Sequence, residues 1–323
     1  MIRHHRAFAL ALCGWLAIGV PSIAPAAENP DACAGIPSDR ERLACYDRTH
    51  ERPVRPRASI LESLWPSVED EDRERLTLMG HNANYLLPLR VTDSPNERPT
   101  SPAQGAANAG NLAPTETKFQ ISIKTPVRRR LLDGRLELWL AYTQQSHWQV
   151  FLDSGPFRET NYEPEAMALI RLDQKLPGLD LRYVNIGLVH QSNGRGSAIS
   201  RSWNRVYAQF GFERGDDFAL LVRPWIRLPD LERIDSNPDI QSYVGRIEVT
   251  ALKRWQAVAV ALTLRSNLSL SGTRGAAQMD LYFPLYRQLK GYVQVFTGHG
   301  ESLIDYNHRQ TTIGAGFALV EWL

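Results

Sequence analysis

Beyond Thr115 the chain breaks into segments of about ten residues in which apolar and polar side chains alternate, each bounded by Gly, Pro, Asp or Asn. Period-two alternation puts one kind of residue on each face of a β-strand. In GRLELWLAYTQQ, Leu136, Leu138, Leu140 and Tyr142 share one face, with Glu137, Trp139, Ala141 and Thr143 on the other. Comparable stretches begin near Lys118, Asn161, Leu181, Ser202, Phe218, Tyr243, Val258, Ala276 and Tyr292, and the last runs from Ile313 to Trp322. With a short strand after Trp148 the pattern predicts about twelve strands, an even number as in bacterial membrane barrels. The expected fold is all-β, a transmembrane antiparallel β-barrel.

A soluble periplasmic β-sandwich would alternate in the same way. No later segment offers 18 consecutive apolar residues, so the exported chain is either soluble or crosses a membrane as strands. Two features weigh toward the membrane. Trp139, Tyr142, Trp148, Trp203, Tyr207, Trp225, Tyr282, Tyr286 and Trp322 lie near strand ends, where interfacial girdles belong. The final strand carries Ile313, Ala315, Phe317 and Leu319 on one face and small Gly314, Gly316 and Ala318 on the other. It ends Glu321-Trp322-Leu323, without the terminal Phe common in such barrels.

The N-terminus reads differently. Arg3, His4, His5 and Arg6 precede a 14-residue apolar stretch from Ala7 to Val20 and the small-residue run Ala24-Pro25-Ala26-Ala27. This reads as a cleavable signal peptide over residues 1–27, since the stretch is short of the roughly 20 residues a membrane helix needs. Residues 28–115 show no sustained period, and their last part, 93–115, is rich in Pro, Ser, Asn, Gly and Ala. They read as an N-terminal periplasmic extension and linker, leaving 116–323 as the barrel. Cys13 leaves with the signal peptide; Cys33 and Cys45 are expected to form one disulfide in an oxidising compartment. With 37 basic and 35 acidic side chains the net charge is +2, which gives no reason to expect nucleic acid as a partner.

In the strand from Leu181 to Asn193, one face carries Val184, Ile186, Leu188, His190 and Ser192. Residues i and i+2 have Cα atoms about 7 Å apart, within reach for an imidazole to take a hydroxyl proton. If the following loop, with Gly194 and Gly196, turns near Ser197, the returning strand pairs Asn204 with His190 on the same face. His, Ser and Asn then have triad roles on the apolar side of the wall, beside a loop able to offer backbone donors to an oxyanion. An outward-facing site suits a substrate that is itself a membrane lipid.

The run HQSNGRGSAISRSWNR from His190 to Arg205, with SGPFRETNYEP from Ser154 to Pro164, strongly resembles outer-membrane phospholipase A. A looser similarity runs from about Lys118 to the end. The resemblance implies a calcium-dependent bacterial outer-membrane enzyme that hydrolyses sn-1 and sn-2 acyl esters of phospholipids and lysophospholipids. Ser192 would be nucleophile, His190 general base and Asn204 its orienting partner, with the Gly194 amide in the oxyanion hole. It further implies a Ca2+ ion beside the triad in an active homodimer, with ligands matching Ser154, the backbone carbonyl of Arg195, and Ser200. Gln144 matches a polar residue of the dimer interface; alternatively it stands high enough on its strand to meet headgroups and water. The competing reading of the whole chain is a passive porin-like or binding barrel in which these residues are incidental.

Overall fold

The computed structural model describes residues 31–49, 58–66, 77–229, 235–286 and 289–320. The signal peptide expected over residues 1–27 lies outside them. The chain divides into two compact units, residues 1–56 and 57–323. In the first, helices α1 (Asp31–Ala34) and α2 (Asp39–Thr49) are joined by a Cys33–Cys45 disulfide with Cα atoms 5.6 Å apart. Both cysteines are buried. The Arg42 guanidinium, ion-paired with Asp39, also donates to the Ile36 carbonyl at 2.9 Å, tying α2 to the turn between the helices.

The second unit is a closed antiparallel barrel of twelve strands. These are β1 (Asn84–Thr92), β2 (Thr115–Leu131), β3 (Leu136–Trp148), β4 (Phe157–Leu176), β5 (Leu179–Ser192) and β6 (Ser202–Arg214). The circuit continues through β7 (Phe218–Leu228), β8 (Ile247–Trp255), β9 (Val258–Ser266), β10 (Gly275–Tyr286), β11 (Leu289–His299) and β12 (Arg309–Val320). Sequential strands pair throughout, and β12 closes on β1 through Thr312↔Thr92 and Ile313↔Val91. Every strand thereby satisfies its backbone within the ladder, as lipid surroundings require.

Two boundaries differ from the sequence-based expectation. No strand follows Trp148, where residues 149–156 form turns. The twelfth strand is instead β1, inside the segment read as a periplasmic extension, so the barrel begins at Asn84 and not after Thr115. The segment 93–114 is a loop between neighbouring strands, with a two-residue ladder of Thr100–Ser101 against Gly105–Ala106. Its composition suggested an unstructured linker because it buries little apolar surface. It is ordered instead by polar contacts to other loops: Asn96 Nδ2 donates to Asp305 Oδ1 at 3.0 Å, and Ser101 donates to the Ser236 carbonyl.

Burial is inverted relative to a soluble protein. Ile121, Leu140, Ile186, Leu188, Leu264, Ile313 and Phe317 are exposed on the outer wall, whereas Arg90, Glu116, Lys118, Asp280, Gln294 and Glu301 are buried inside. The interior carries a charge network. Arg90 Nη1 meets Glu116 Oε1 at 2.8 Å and its Nη2 pairs with Glu301, which also accepts from Lys118 Nζ at 3.0 Å. Arg158 joins Glu116 at 2.9 Å to Asp305 at 2.8 Å. The network crosses the β12–β1 seam and ties the 300–308 loop into the lumen.

Most of the aromatics expected in interfacial girdles point inward. Trp139, Trp203, Tyr207, Trp225 and Tyr282 are buried, and among the described members of the expected set only Tyr286 is strongly exposed, at 66%. The alternation itself explains this, because each sits at an inward position of its strand, between outward neighbours that are apolar beside Trp139, Tyr207, Trp225 and Tyr282 and polar (Ser202 and Asn204) beside Trp203. Trp322 lies outside the described residues. Tyr207 is accommodated by its cross-strand partner: Gly187 pairs with Tyr207, and a Cβ at Gly187 would stand 2.2 Å from the ring.

The short helix α3 (Ile60–Leu64) enters the barrel at the end where connections are tight, such as 177–178 and 256–257. Ser59 caps it by accepting from the Glu62 amide at 3.1 Å. Lys124 Nζ donates to the Leu64 carbonyl at 2.6 Å and lies 3.5 Å from the Trp65 ring centroid, while Arg171 Nη2 donates to the Trp65 carbonyl at 3.0 Å.

Arg90→Met removes one cation facing two buried carboxylates, a loss that costs about 3–5 kcal/mol where the remaining charge is left uncompensated. The variant is expected to lose its heat-modifiable gel mobility at a lower temperature than the native protein. An unchanged transition would show that the seam does not depend on this pair.

Candidate active site on the outer wall

Strands β5 and β6 form a hairpin whose register places His190 opposite Asn204 and Ser192 opposite Ser202. His190 is exposed on the outer wall directly above Leu188 (52% exposed) and Ile186. Its Nδ1 lies 2.8 Å from Asn204 Oδ1. An amide oxygen can only accept, so Nδ1 carries a proton, and in the neutral imidazole this leaves the lone pair on Nε2. Ser192 shares this face two residues on, and among the described residues no hydrogen bond joins its hydroxyl to the imidazole. Such contacts commonly tighten only when substrate is bound.

The connecting loop closes through the Asn193 amide donating to the Arg201 carbonyl at 3.0 Å. Gly194 follows with φ +62°, and a Cβ there would lie 3.1 Å from Cε2 of Tyr162, the cross-strand partner of Ser192. The left-handed backbone and the close ring both favour glycine. Gln144 pairs with Tyr162 on the neighbouring strand and is half-buried. Its amide is bridged between Tyr142, which donates to Oε1 at 3.1 Å, and Ser146, which accepts from Nε2 at 3.4 Å.

The remaining expected residues lie in two adjoining loops. Arg195 and Ser200 are in the 193–201 loop. The Arg195 guanidinium donates to the carbonyls of Phe157 (2.8 Å) and Arg158 (2.7 Å), drawing that loop to the start of β4, three residues beyond Ser154. Ser154 is exposed with φ +65°, and Gly155 after it has φ +26°. Trp148 stacks on Phe157 and donates from Nε1 to the Gly155 carbonyl at 2.7 Å, fixing the 149–156 turn. The two hydroxyls and the peptide carbonyl expected as ligands are all oxygen donors, a chemistry that fits a hard cation and not a thiophilic metal. The described residues contain no cluster of three His, Cys, Asp or Glu side chains able to cage a metal.

The phospholipase A1 family model matches residues 61–319. A putative phospholipase A1 of Neisseria meningitidis serogroup B is 40% identical over 264 residues, covering 79% of this chain and 68% of the relative. The phospholipase A1 of Escherichia coli K12 is 34% identical over 278 residues, covering 85% of this chain and 91% of its own. The chain belongs to the phospholipase A1 family. Among solved structures, the outer membrane phospholipase A of Escherichia coli aligns with a TM-score of 0.69 at 33% identity, covering 76% of this chain and 95% of that one. A Salmonella typhi outer membrane phospholipase, solved as a dimer with bound calcium, aligns with a TM-score of 0.70 at 32% identity, covering 83% and 99%.

This phospholipase is therefore an enzyme and a bacterial outer-membrane β-barrel, and the passive porin-like reading gives way. Short turns face the periplasm in such barrels and long loops the exterior, which puts the 193–201 loop on the outer side. Two residues that frame the site went unremarked in the sequence: Tyr162, beside Ser192 and Gly194, and Asn193, whose side chain spans the loop. Tyr162 could have been found from its outward parity on β4. Asn193 points to the interior, where residue pattern gives no signal.

Asn204→Ala leaves the imidazole without its 2.8 Å acceptor. If that contact sets the tautomer, kcat falls by about one to two orders of magnitude, read as phospholipid hydrolysis in detergent micelles. Unaltered kcat would remove Asn204 from the machinery.

Proposed function

We propose that the phospholipase cleaves sn-1 and sn-2 acyl esters of phospholipids and lysophospholipids at the outer wall, with Ser192 as nucleophile. The observation that carries this reading is the 2.8 Å contact from His190 to Asn204 on the lipid-facing side, two residues from the Ser192 hydroxyl. His190 Nε2 takes the Ser192 proton as Oγ attacks the ester carbonyl. The Gly194 amide donates to the oxyanion that forms. Collapse expels the alcohol portion of the lipid, which receives the proton from the imidazolium, and leaves an acyl-enzyme. Water, deprotonated by the same imidazole, then releases the fatty acid and restores Ser192. Asn204 orients the ring as an Asp would but adds no charge, so the imidazolium gains less stabilisation and the base is weaker.

Ser154, the Arg195 carbonyl and Ser200 are the residues proposed to hold a calcium ion. When bound, calcium supplies positive charge near the developing oxyanion. With few protein donors per subunit, the ion's remaining coordination would come from water and from a second copy of the chain. A Salmonella typhi relative solved as a dimer with bound calcium supports calcium binding and dimerisation here. In the homodimer Gln144, on the outer face near Tyr162, would lie against the partner, where a paired amide is favoured over one exposed to hydrocarbon.

Purified protein in detergent with calcium is expected to hydrolyse phospholipid, and Ser192→Ala to lower kcat at least about a thousandfold. Equal turnover by both proteins would sink the assignment. Exhaustive chelation is expected to abolish turnover while leaving heat-modifiable mobility intact, and Ser200→Ala to need more metal for half-maximal rate. Full activity after chelation would refute the calcium site.

A further inference from the structure

Asn193, between Ser192 and Gly194, is buried, and its carboxamide spans the loop that follows. Oδ1 accepts from the Arg195 amide at 3.3 Å and the Arg201 amide at 3.0 Å, while Nδ2 donates to the Ile199 carbonyl at 2.8 Å. One side chain thereby fixes the loop near both ends. Nδ2 also donates to Oε2 of Glu159 at 3.4 Å. Glu159 is fully buried, and its Oε1 accepts from Asn161 Nδ2 at 2.7 Å and from the Ile304 amide at 3.2 Å. The same Oε2 lies 3.6 Å from Arg195 Nε, so Glu159 faces the residues on both sides of Gly194.

The direction of the Gly194 N–H is set by the backbone of Asn193 and by its own φ of +62°. Asn193 is held from the interior, and Arg195 is held by Glu159 and by the carbonyls of Phe157 and Arg158. With both neighbours fixed, the glycine amide cannot turn away without breaking buried hydrogen bonds. A donor aimed before the reaction begins is what oxyanion stabilisation requires. Resting on the reading of Ser192 and Gly194 above, we infer that Asn193 and Glu159 are a positioning pair that aims the Gly194 amide and the Arg195 carbonyl through the loop backbone, without touching substrate.

The test is steady-state hydrolysis of phospholipid mixed micelles by the full chain at saturating calcium. Asn193→Asp keeps the acceptor for the two amides but sets a carboxylate oxygen against Glu159 and the Ile199 carbonyl. It is expected to lower kcat about a hundredfold with KM within about twofold, because the interaction lost is made in the transition state. Glu159→Gln alone lowers kcat about tenfold. Combining the two lets the Gln amide donate to the new carboxylate and recovers at least about tenfold over Asn193→Asp; the Ile199 contact stays unmet, so recovery is incomplete. A residue that only stabilised the fold would show neither the kcat-specific loss nor the rescue.

Native kcat in Asn193→Asp, or a double variant no faster than it, overturns the inference. If Asn193→Asp does not give a heat-modifiable barrel, Glu159→Gln decides: a kcat-specific loss supports the pair and native kcat overturns it. Ser192→Ala in the same assay separates the two levels. Full turnover there defeats the site itself, whereas an inactive Ser192→Ala beside fully active 193 and 159 variants defeats only the positioning pair.

Discussion

Hydrocarbon offers no partner to an unpaired N–H or C=O, and that constraint organises this protein. It forces the twelve strands to close, so β1 must meet β12, and it turns the outer wall apolar while charges gather inside. The interior network then takes over the role an apolar core has in a soluble protein. Arg90, Lys118 and Arg158 neutralise Glu116, Glu301 and Asp305, and all of these ion pairs except Arg90–Glu116 join segments far apart in sequence. Chemistry on the outer face becomes possible because the hairpin beneath it is held from within.

The same constraint accounts for the placement of the catalytic candidates. Along β5 the outward positions run Ile186, Leu188, His190, Ser192, passing from apolar to reactive residues as the strand nears the long-loop end. A lipid moving along the wall meets apolar side chains below and polar groups above. The loop with Gly194 is anchored inward through Asn193, Glu159 and Arg195, so the site faces lipid while its rigidity comes from the polar lumen.

Much of this was legible in the sequence because period two carries through a barrel. The alternation in 181–193 and 202–210 gave the hairpin faces, and the symmetric loop gave the His190–Asn204 register seen in the ladder. The first strand was not legible: Pro88 interrupts NYLLPLRVT, and the Pro- and Asn-rich run after it imitates a linker. Its order comes from contacts such as Asn96 with Asp305, more than two hundred residues apart, which no local pattern reports. Position along the strand points the aromatics to the interface, whereas parity puts Trp139, Trp203 and Tyr282 inside. Asn193 gives no signal in the sequence for a related reason, since its role lies in the direction of its amide and not in its kind.

Everything above turns on Ser192, on the lipid-facing wall, being the residue that becomes acylated. The most direct measurement is mass-spectrometric mapping of the protein after reaction with a long-chain sulfonyl fluoride in detergent with calcium. A single modified peptide carrying the label on Ser192 is expected, with labelling lost in step with activity when calcium is withdrawn. Complete inactivation with the label on another residue, or with Ser192 unmodified, would contradict it.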